Sequence, residues 1–117
     1  MNPKDVVTAL GAIAHDHRLA VYRMLVAQGP EGLPAGVIAE RLDIPPSSLT
    51  FHLQQLLHAG LVTQRRLSRQ LIYAADFAAM NALVGFLTEN CCGGQACAPV
   101  CSPAKTNAAS RKKVRSA

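Results

Sequence analysis

The chain has 117 residues, half of them hydrophobic, and a formal net charge of +5 at neutral pH. This length supports one domain with a single core of moderate size. Apolar runs are too short for a membrane-spanning helix, and two aspartates and two histidines interrupt the start of the chain, where a secretory signal would be apolar. We therefore expect a cytoplasmic protein without a membrane partner.

The positive charge is concentrated at the end of the chain. Residues 1–104 carry seven basic and seven acidic side chains, so the whole excess lies beyond them. We predict that residues 102–117, which are small, polar and without periodicity, form a basic disordered tail. The overall charge is thus weak evidence for nucleic-acid binding. The local group of Arg65, Arg66 and Arg69 is stronger evidence, since no acidic residue lies between Asp43 and Asp76.

Apolar residues at helical spacing predict four helices in the first half of the chain. Pro3 suits the first turn of the first helix, and Asp16 is a candidate cap for the second. Consecutive prolines break the chain before the fourth helix, which Gly60 ends in the left-handed conformation. The predicted helices cover residues 3–14, 17–28, 35–42 and 47–59.

A hairpin and a last helix follow. Alternating residues predict strands over residues 61–66 and 70–75, joined by a turn at residues 67–69, and an apolar stripe predicts a helix over residues 77–90. A short helix, a tight break and a longer helix form a helix-turn-helix, and a hairpin directly after it forms a wing. The expected fold is mostly α with a β-hairpin wing (α+β), a dimeric winged helix-turn-helix in the order ααααββα.

All four cysteines fall within eleven residues directly after the last helix. Disulfides stabilise mainly by closing long loops, so a cluster this tight is better suited to placing several thiolates around one soft ion.

We divide the chain into a DNA-binding and dimerisation domain (residues 1–90), a cysteine segment (residues 91–101) and the tail. No cysteine has the spacing to arginine of a phosphate-binding loop, so an enzyme is not indicated.

Three stretches are similar to the ArsR/SmtB family of metal-responsive winged-helix repressors. They are residues 14–25, residues 48–62, which end in Ala59-Gly60-Leu61-Val62, and residues 65–73, where Ser68 replaces a glycine frequent in the family. The similarity covers about residues 5–90. It implies a homodimeric, non-enzymatic repressor whose partner is a double-stranded DNA operator, and the two-fold symmetry of such a dimer matches a palindrome.

The resemblance also implies where an inducer binds. Two metal sites of the family are absent, because residues 35–40 contain no cysteine and the last helix contains no histidine. Its remaining arsenic-type arrangement matches Cys91, Cys92 and Cys97, with Cys101 as an auxiliary ligand. The expected ligand is As(III) or Sb(III), which is soft and takes three thiolates, and no cofactor is needed for DNA binding. A repressor that senses Cd, Pb or Zn, or a thiol redox switch, stays open as an alternative.

Candidate DNA contacts lie on the predicted helix over residues 47–59, which is the recognition helix of the helix-turn-helix, and on the wing. Serine, threonine and glutamine reach base edges and phosphates, whereas arginines suit phosphates or the minor groove. We include His52 because the resemblance places a histidine there. We interpret His15 and His17 as solvent-exposed residues near a helix cap rather than as a metal pair. The predicted set is Ser47, Ser48, Thr50, His52, Gln54, Gln55, Arg65, Arg66 and Arg69.

Overall fold

Five α-helices and a three-stranded antiparallel sheet make up the described part of the chain, residues 1–94 of this computed structural model. A short 3-10 turn, Cys91–Gly94, follows the last helix. The elements in chain order are α1 (Pro3–Ile13), α2 (Asp16–Gln28), β1 (Leu33–Pro34), α3 (Ala35–Leu42), α4 (Pro46–His58), β2 (Val62–Leu67), β3 (Gln70–Ala75) and α5 (Phe77–Leu87). The predicted winged helix-turn-helix is confirmed, with β1 as an additional strand.

Local chemistry explains where the first two helices begin. The side chain of Asn2 accepts a hydrogen bond from the amide of Asp5 at 2.9 Å, and Pro3 occupies the first turn of α1. At α2 the predicted cap was wrong by one residue. His15 Nδ1 accepts the amide hydrogen of His17 at 3.1 Å, so His15 is the cap and Asp16 is the first helical residue.

The sheet has the order β1-β3-β2, with β3 in the centre. Residue Arg65 pairs with Ile72, and Leu33 pairs with Tyr73. β1 approaches β3 closely because the residue before it is Gly32, which has a φ of +75°. A Cβ atom there would overlap the carbonyl oxygen of Tyr73, so this turn requires glycine. The turn thereby fixes the base of the wing.

The hydrophobic core lies between the helices and the base of the wing. Side chains of α2, α3 and α4 and the residue before β2 supply its fully buried members: Val21, Leu25, Ile38, Leu49, Leu53, Leu56 and Leu61. This core belongs to a compact unit, Met1–Val84, and a second unit begins at Gly85. Because one stripe of α4 is anchored in the core, its opposite stripe is presented to solvent.

α5 ends at Leu87, before the predicted boundary at residue 90. The chain leaves the helical conformation there, since Asn90 and Cys92 have φ values of 59° and 57°. Most of the cysteine segment and the whole predicted tail lie outside the described residues. Within residues 1–94 no helix has the length and apolar character needed to cross a bilayer.

Candidate nucleic-acid interface

The exposed stripe of α4 carries most of the predicted DNA contacts. It lies opposite the buried leucines and is polar along most of its length. The hydroxyl of Thr50 donates to the carbonyl oxygen of Pro46 at 3.0 Å, so its oxygen is left to accept hydrogen bonds from outside. The exposed members that the sequence predicted are Ser47, Ser48, Thr50, Gln54 and Gln55.

Phe51 shares this stripe and was missed by the sequence analysis. Its side chain is 58% exposed although it is large and apolar. Exposed aromatic rings on a recognition helix are suited to apolar contact with thymine methyl groups. Its exposure could have been predicted from the sequence, because Phe51 does not share the helical spacing of the buried leucines of α4.

His52 requires a correction. It is only 7% exposed, and its ring lies 4.7 Å from the ring of His15 and 5.4 Å from that of His17, between centroids. A side chain turned toward the start of α2 is not placed for direct contact with DNA. Burial lowers the pKa of His52, and the positive charges of His15, Arg18 and His17 lower it further.

His15 and His17 are exposed, as predicted, yet they do more than flank a cap. Together with His52 they form a three-histidine cluster, in which one ring nitrogen from each lies within 4.8 Å of the others. The buried Nδ1 of His52 has no hydrogen-bond partner within residues 1–94. The sequence did not predict this cluster, because its members are far apart in the chain and come together only when α2 packs against α4.

The wing presents its arginines on two faces. Arg65, Arg66 and Arg69 are all exposed. Side chains alternate along a strand, so neighbouring Arg65 and Arg66 point to opposite faces. Arg65 Nη2 donates to the carbonyl oxygen of Glu31 at 2.9 Å, whereas Arg69 follows Ser68 at the tip, where Ser68 has a left-handed φ of 58°. The three arginines therefore lie in different local surroundings.

The cysteines are only partly placed. Cys91 and Cys92 lie in the 3-10 turn after α5, and Cys97 and Cys101 lie outside the described residues. The three-cysteine site thus stays a prediction.

Two apolar residues on α1 face solvent. Val7 is 69% exposed and Leu10 is 38% exposed. Neighbouring apolar side chains on one helix are suited to an interface.

Known proteins share this fold and part of this sequence. A family model described as a helix-turn-helix domain matches residues 13–65. The transcriptional activator HlyU of Vibrio cholerae is 29% identical over 91 residues, which cover 78% of this chain and 82% of that protein. A structure of V. cholerae HlyU superposes with a TM-score of 0.62 at 28% identity, covering 79% of this chain and 99% of that one.

Two further structures extend the comparison. A homodimeric winged helix-turn-helix DNA-binding domain from Mycobacterium bovis, described as a possible ArsR-family transcriptional regulator, has a TM-score of 0.59 and 28% identity, with coverage of 74% and 81%. An ArsR-like transcriptional regulator from Rhodococcus has a TM-score of 0.64 at 24% identity, covering 72% of this chain and 76% of that one, and so shares the fold.

The fold and the exposed stripe of α4 define a winged helix-turn-helix protein. With the similarities they support a DNA-binding transcriptional regulator that is similar to HlyU and to a possible ArsR-family regulator. Proteins of this fold and type are typically not enzymes.

Proposed function

We propose that this chain is a homodimeric transcriptional repressor that leaves its DNA operator when As(III) or Sb(III) binds three cysteines. The observation that carries the DNA-binding part is the exposed stripe of α4 beside a wing with three exposed arginines. A helix of this kind fits the major groove, and the arginines supply phosphate contacts on either side.

Dimerisation follows from the apolar residues of α1. Val7 and Leu10 stay exposed in the single chain, and a two-fold interface would remove them from water. The homodimeric Mycobacterium domain supports this assembly. A dimer presents two copies of α4, which suits a palindromic operator with half-sites about one helical turn apart.

The inducer part rests on the chemistry of the cysteine segment. Cys91, Cys92 and Cys97 offer three thiolates in a short stretch that includes Gly93 and Gly94, and Cys101 serves at most as an auxiliary ligand. Three thiolates suit a soft trivalent metalloid. Arsenic releases DNA only if the arsenic-bound state has the lower DNA affinity, so the two ligands must be negatively coupled.

A DNA-binding titration tests the proposal. Reduced protein is titrated against a labelled fragment of its own upstream region, with arsenite, zinc and an oxidant compared as releasing agents. We expect arsenite to weaken binding by about 5- to 150-fold, the range of common allosteric couplings, and the other two to have little effect. Release by zinc or by oxidation instead would favour a divalent-metal sensor or a redox switch.

A second arm tests the sign of regulation, since HlyU is named an activator. A reporter under the upstream region should be low in the presence of the protein and should rise with arsenite. Tight arsenite binding without any DNA affinity would instead identify a metalloid buffer.

A further inference from the structure

The three-histidine cluster is not used by the proposed repressor function. His15 and His17 come from the start of α2, and His52 comes from the middle of α4. The three rings contact one another pairwise, with centroids 4.7–5.6 Å apart. Such mutual contact brings three potential nitrogen ligands to one point between two helices.

The nitrogen atoms of the cluster are not all engaged elsewhere. His15 uses Nδ1 as the cap of α2, which leaves Nε2 as its second ring nitrogen. The Nδ1 atom of His52 is buried and lacks a hydrogen-bond partner among the described residues. A buried polar atom without a partner is uncommon in native proteins and is frequently the mark of an ion or water that completes the site.

The surroundings of His52 bear on cation binding. Its ring is buried, which disfavours a positive charge on the imidazole itself, and metals are coordinated by the neutral imidazole. Arg18 opposes a cation, since its positive charge acts on His52. The cluster should therefore bind a metal ion more weakly than an otherwise identical cluster without that arginine.

We propose that His15, His17 and His52 bind one divalent transition-metal ion of the zinc type and thereby link α2 to α4. Nitrogen ligands of a tetrahedral zinc ion lie roughly 3.4 Å apart, given zinc–nitrogen distances of about 2.0–2.1 Å. The ring nitrogens lie within 4.8 Å of one another, so binding requires them to move closer together, for which the exposed ring of His17 has room.

This site differs in chemistry from the cysteine segment. Imidazole nitrogens suit zinc, copper and nickel, whereas thiolates suit soft ions. Three protein ligands also leave the fourth position of a tetrahedral ion for water. The chain would then carry two sites with different metal preferences. The proposal for the histidine site does not depend on whether the cysteines sense arsenite.

The test uses the full chain with all four cysteines replaced by serine, so that only nitrogen and oxygen ligands remain. Zn²⁺ is titrated in competition with a chromophoric chelator. We expect one Zn²⁺ per protomer. Removing a residue that only hydrogen-bonds to a metal ligand weakens metal binding by about 10- to 100-fold. Removing a ligand itself should therefore lower the Zn²⁺ affinity at least about tenfold.

Two variants separate coordination from folding. His15→Asn retains a side-chain acceptor for the α2 cap and removes the second ring nitrogen. His17→Ala changes an exposed side chain and leaves the core intact. Both should lose at least about tenfold in Zn²⁺ affinity and should no longer show the rise in Tm that Zn²⁺ gives the parent.

The matched control is His58→Ala, which changes the exposed histidine at the end of α4 outside the cluster. It should bind Zn²⁺ as the parent does. Arg18→Gln should bind Zn²⁺ more tightly, because the opposing charge is gone. The proposal is overturned if the serine background binds no stoichiometric Zn²⁺, if His15→Asn binds it normally, or if His58→Ala loses as much as the cluster variants.

Discussion

Arg65 in the wing donates a hydrogen bond from Nη2 to the carbonyl oxygen of Glu31, 2.9 Å away in the turn before β1. This bond ties a predicted DNA contact of the wing to the turn that precedes β1. It also distinguishes Arg65 from Arg66, which points to the other face of the hairpin. The wing is therefore held at its base from outside the hairpin itself.

Replacing Arg65 or Arg66 with Ala should weaken binding to operator and to random DNA alike. Each lost phosphate contact should reduce the slope of log affinity against log salt by about one unit. Fluorescence anisotropy at several salt concentrations measures this slope. Arg23→Ala, which removes an exposed arginine of α2, is the charge-matched control and should leave the slope unchanged. Loss confined to the operator would contradict a phosphate contact.

Replacing Gln55 with Ala should reduce discrimination rather than general affinity. A bidentate side-chain contact to a base contributes about 1–3 kcal/mol of discrimination against the wrong base, so the operator should lose affinity while random DNA does not. Competition between the two DNAs measures the ratio. Gln28→Ala, at the exposed end of α2, is the matched control. An equal loss on both DNAs would show that Gln55 contacts only the backbone.

Cys91→Ser, Cys92→Ser and Cys97→Ser should each abolish the arsenite response while DNA binding stays near normal. Two remaining thiolates cannot complete a three-sulfur site. The measurement is arsenite-driven release of labelled DNA from the reduced variants. Cys101→Ser should respond almost normally. The opposite pattern at positions 97 and 101 would reassign the third ligand, and four normal single variants would exclude the cysteine sensor.

Val7→Asp should convert the protein to a folded monomer. Val7 is 69% exposed, so a charge there costs little in the single chain but opposes an apolar two-fold interface. Sedimentation at micromolar concentration should show the parent as a dimer and the variant as a monomer with weaker operator binding. Thr8→Asp is the control for added charge on α1, because Thr8 is the neighbouring residue and is also exposed to solvent. A dimeric Val7→Asp would place the interface elsewhere.

Two glycine substitutions should have opposite effects on stability. Gly36→Ala in α3 meets no atom within 4 Å, and it should stabilise the protein by about 0.5–1 kcal/mol through helix propensity. Gly32→Ala should destabilise it by more than about 1 kcal/mol, because φ is positive and the new methyl group overlaps the carbonyl oxygen of Tyr73. Chemical denaturation of both variants measures the difference, and a neutral Gly32→Ala would refute the close approach.

The sequence predicted what periodicity can encode. Leucines at positions 49, 53, 56 and 57 predicted the buried stripe of α4; the first three are buried, whereas Leu57 is only half-buried. β1 was missed because two residues have no alternation to detect. The spacing of His52 already placed it on the leucine stripe, but its polarity and the family resemblance argued for DNA contact. Its neighbours on α2 are visible only after the helices pack.

The tie between Glu31 and Arg65 has a consequence for genetics. Gly32 adjoins the carbonyl that holds Arg65, and its own backbone packs against Tyr73 of the central strand. A screen for variants that have lost DNA binding should therefore recover bulky substitutions at Gly32 together with those on α4, although Gly32 has no side chain to offer a base or a phosphate. Their recovery would identify residues that hold the wing in place rather than residues that contact DNA.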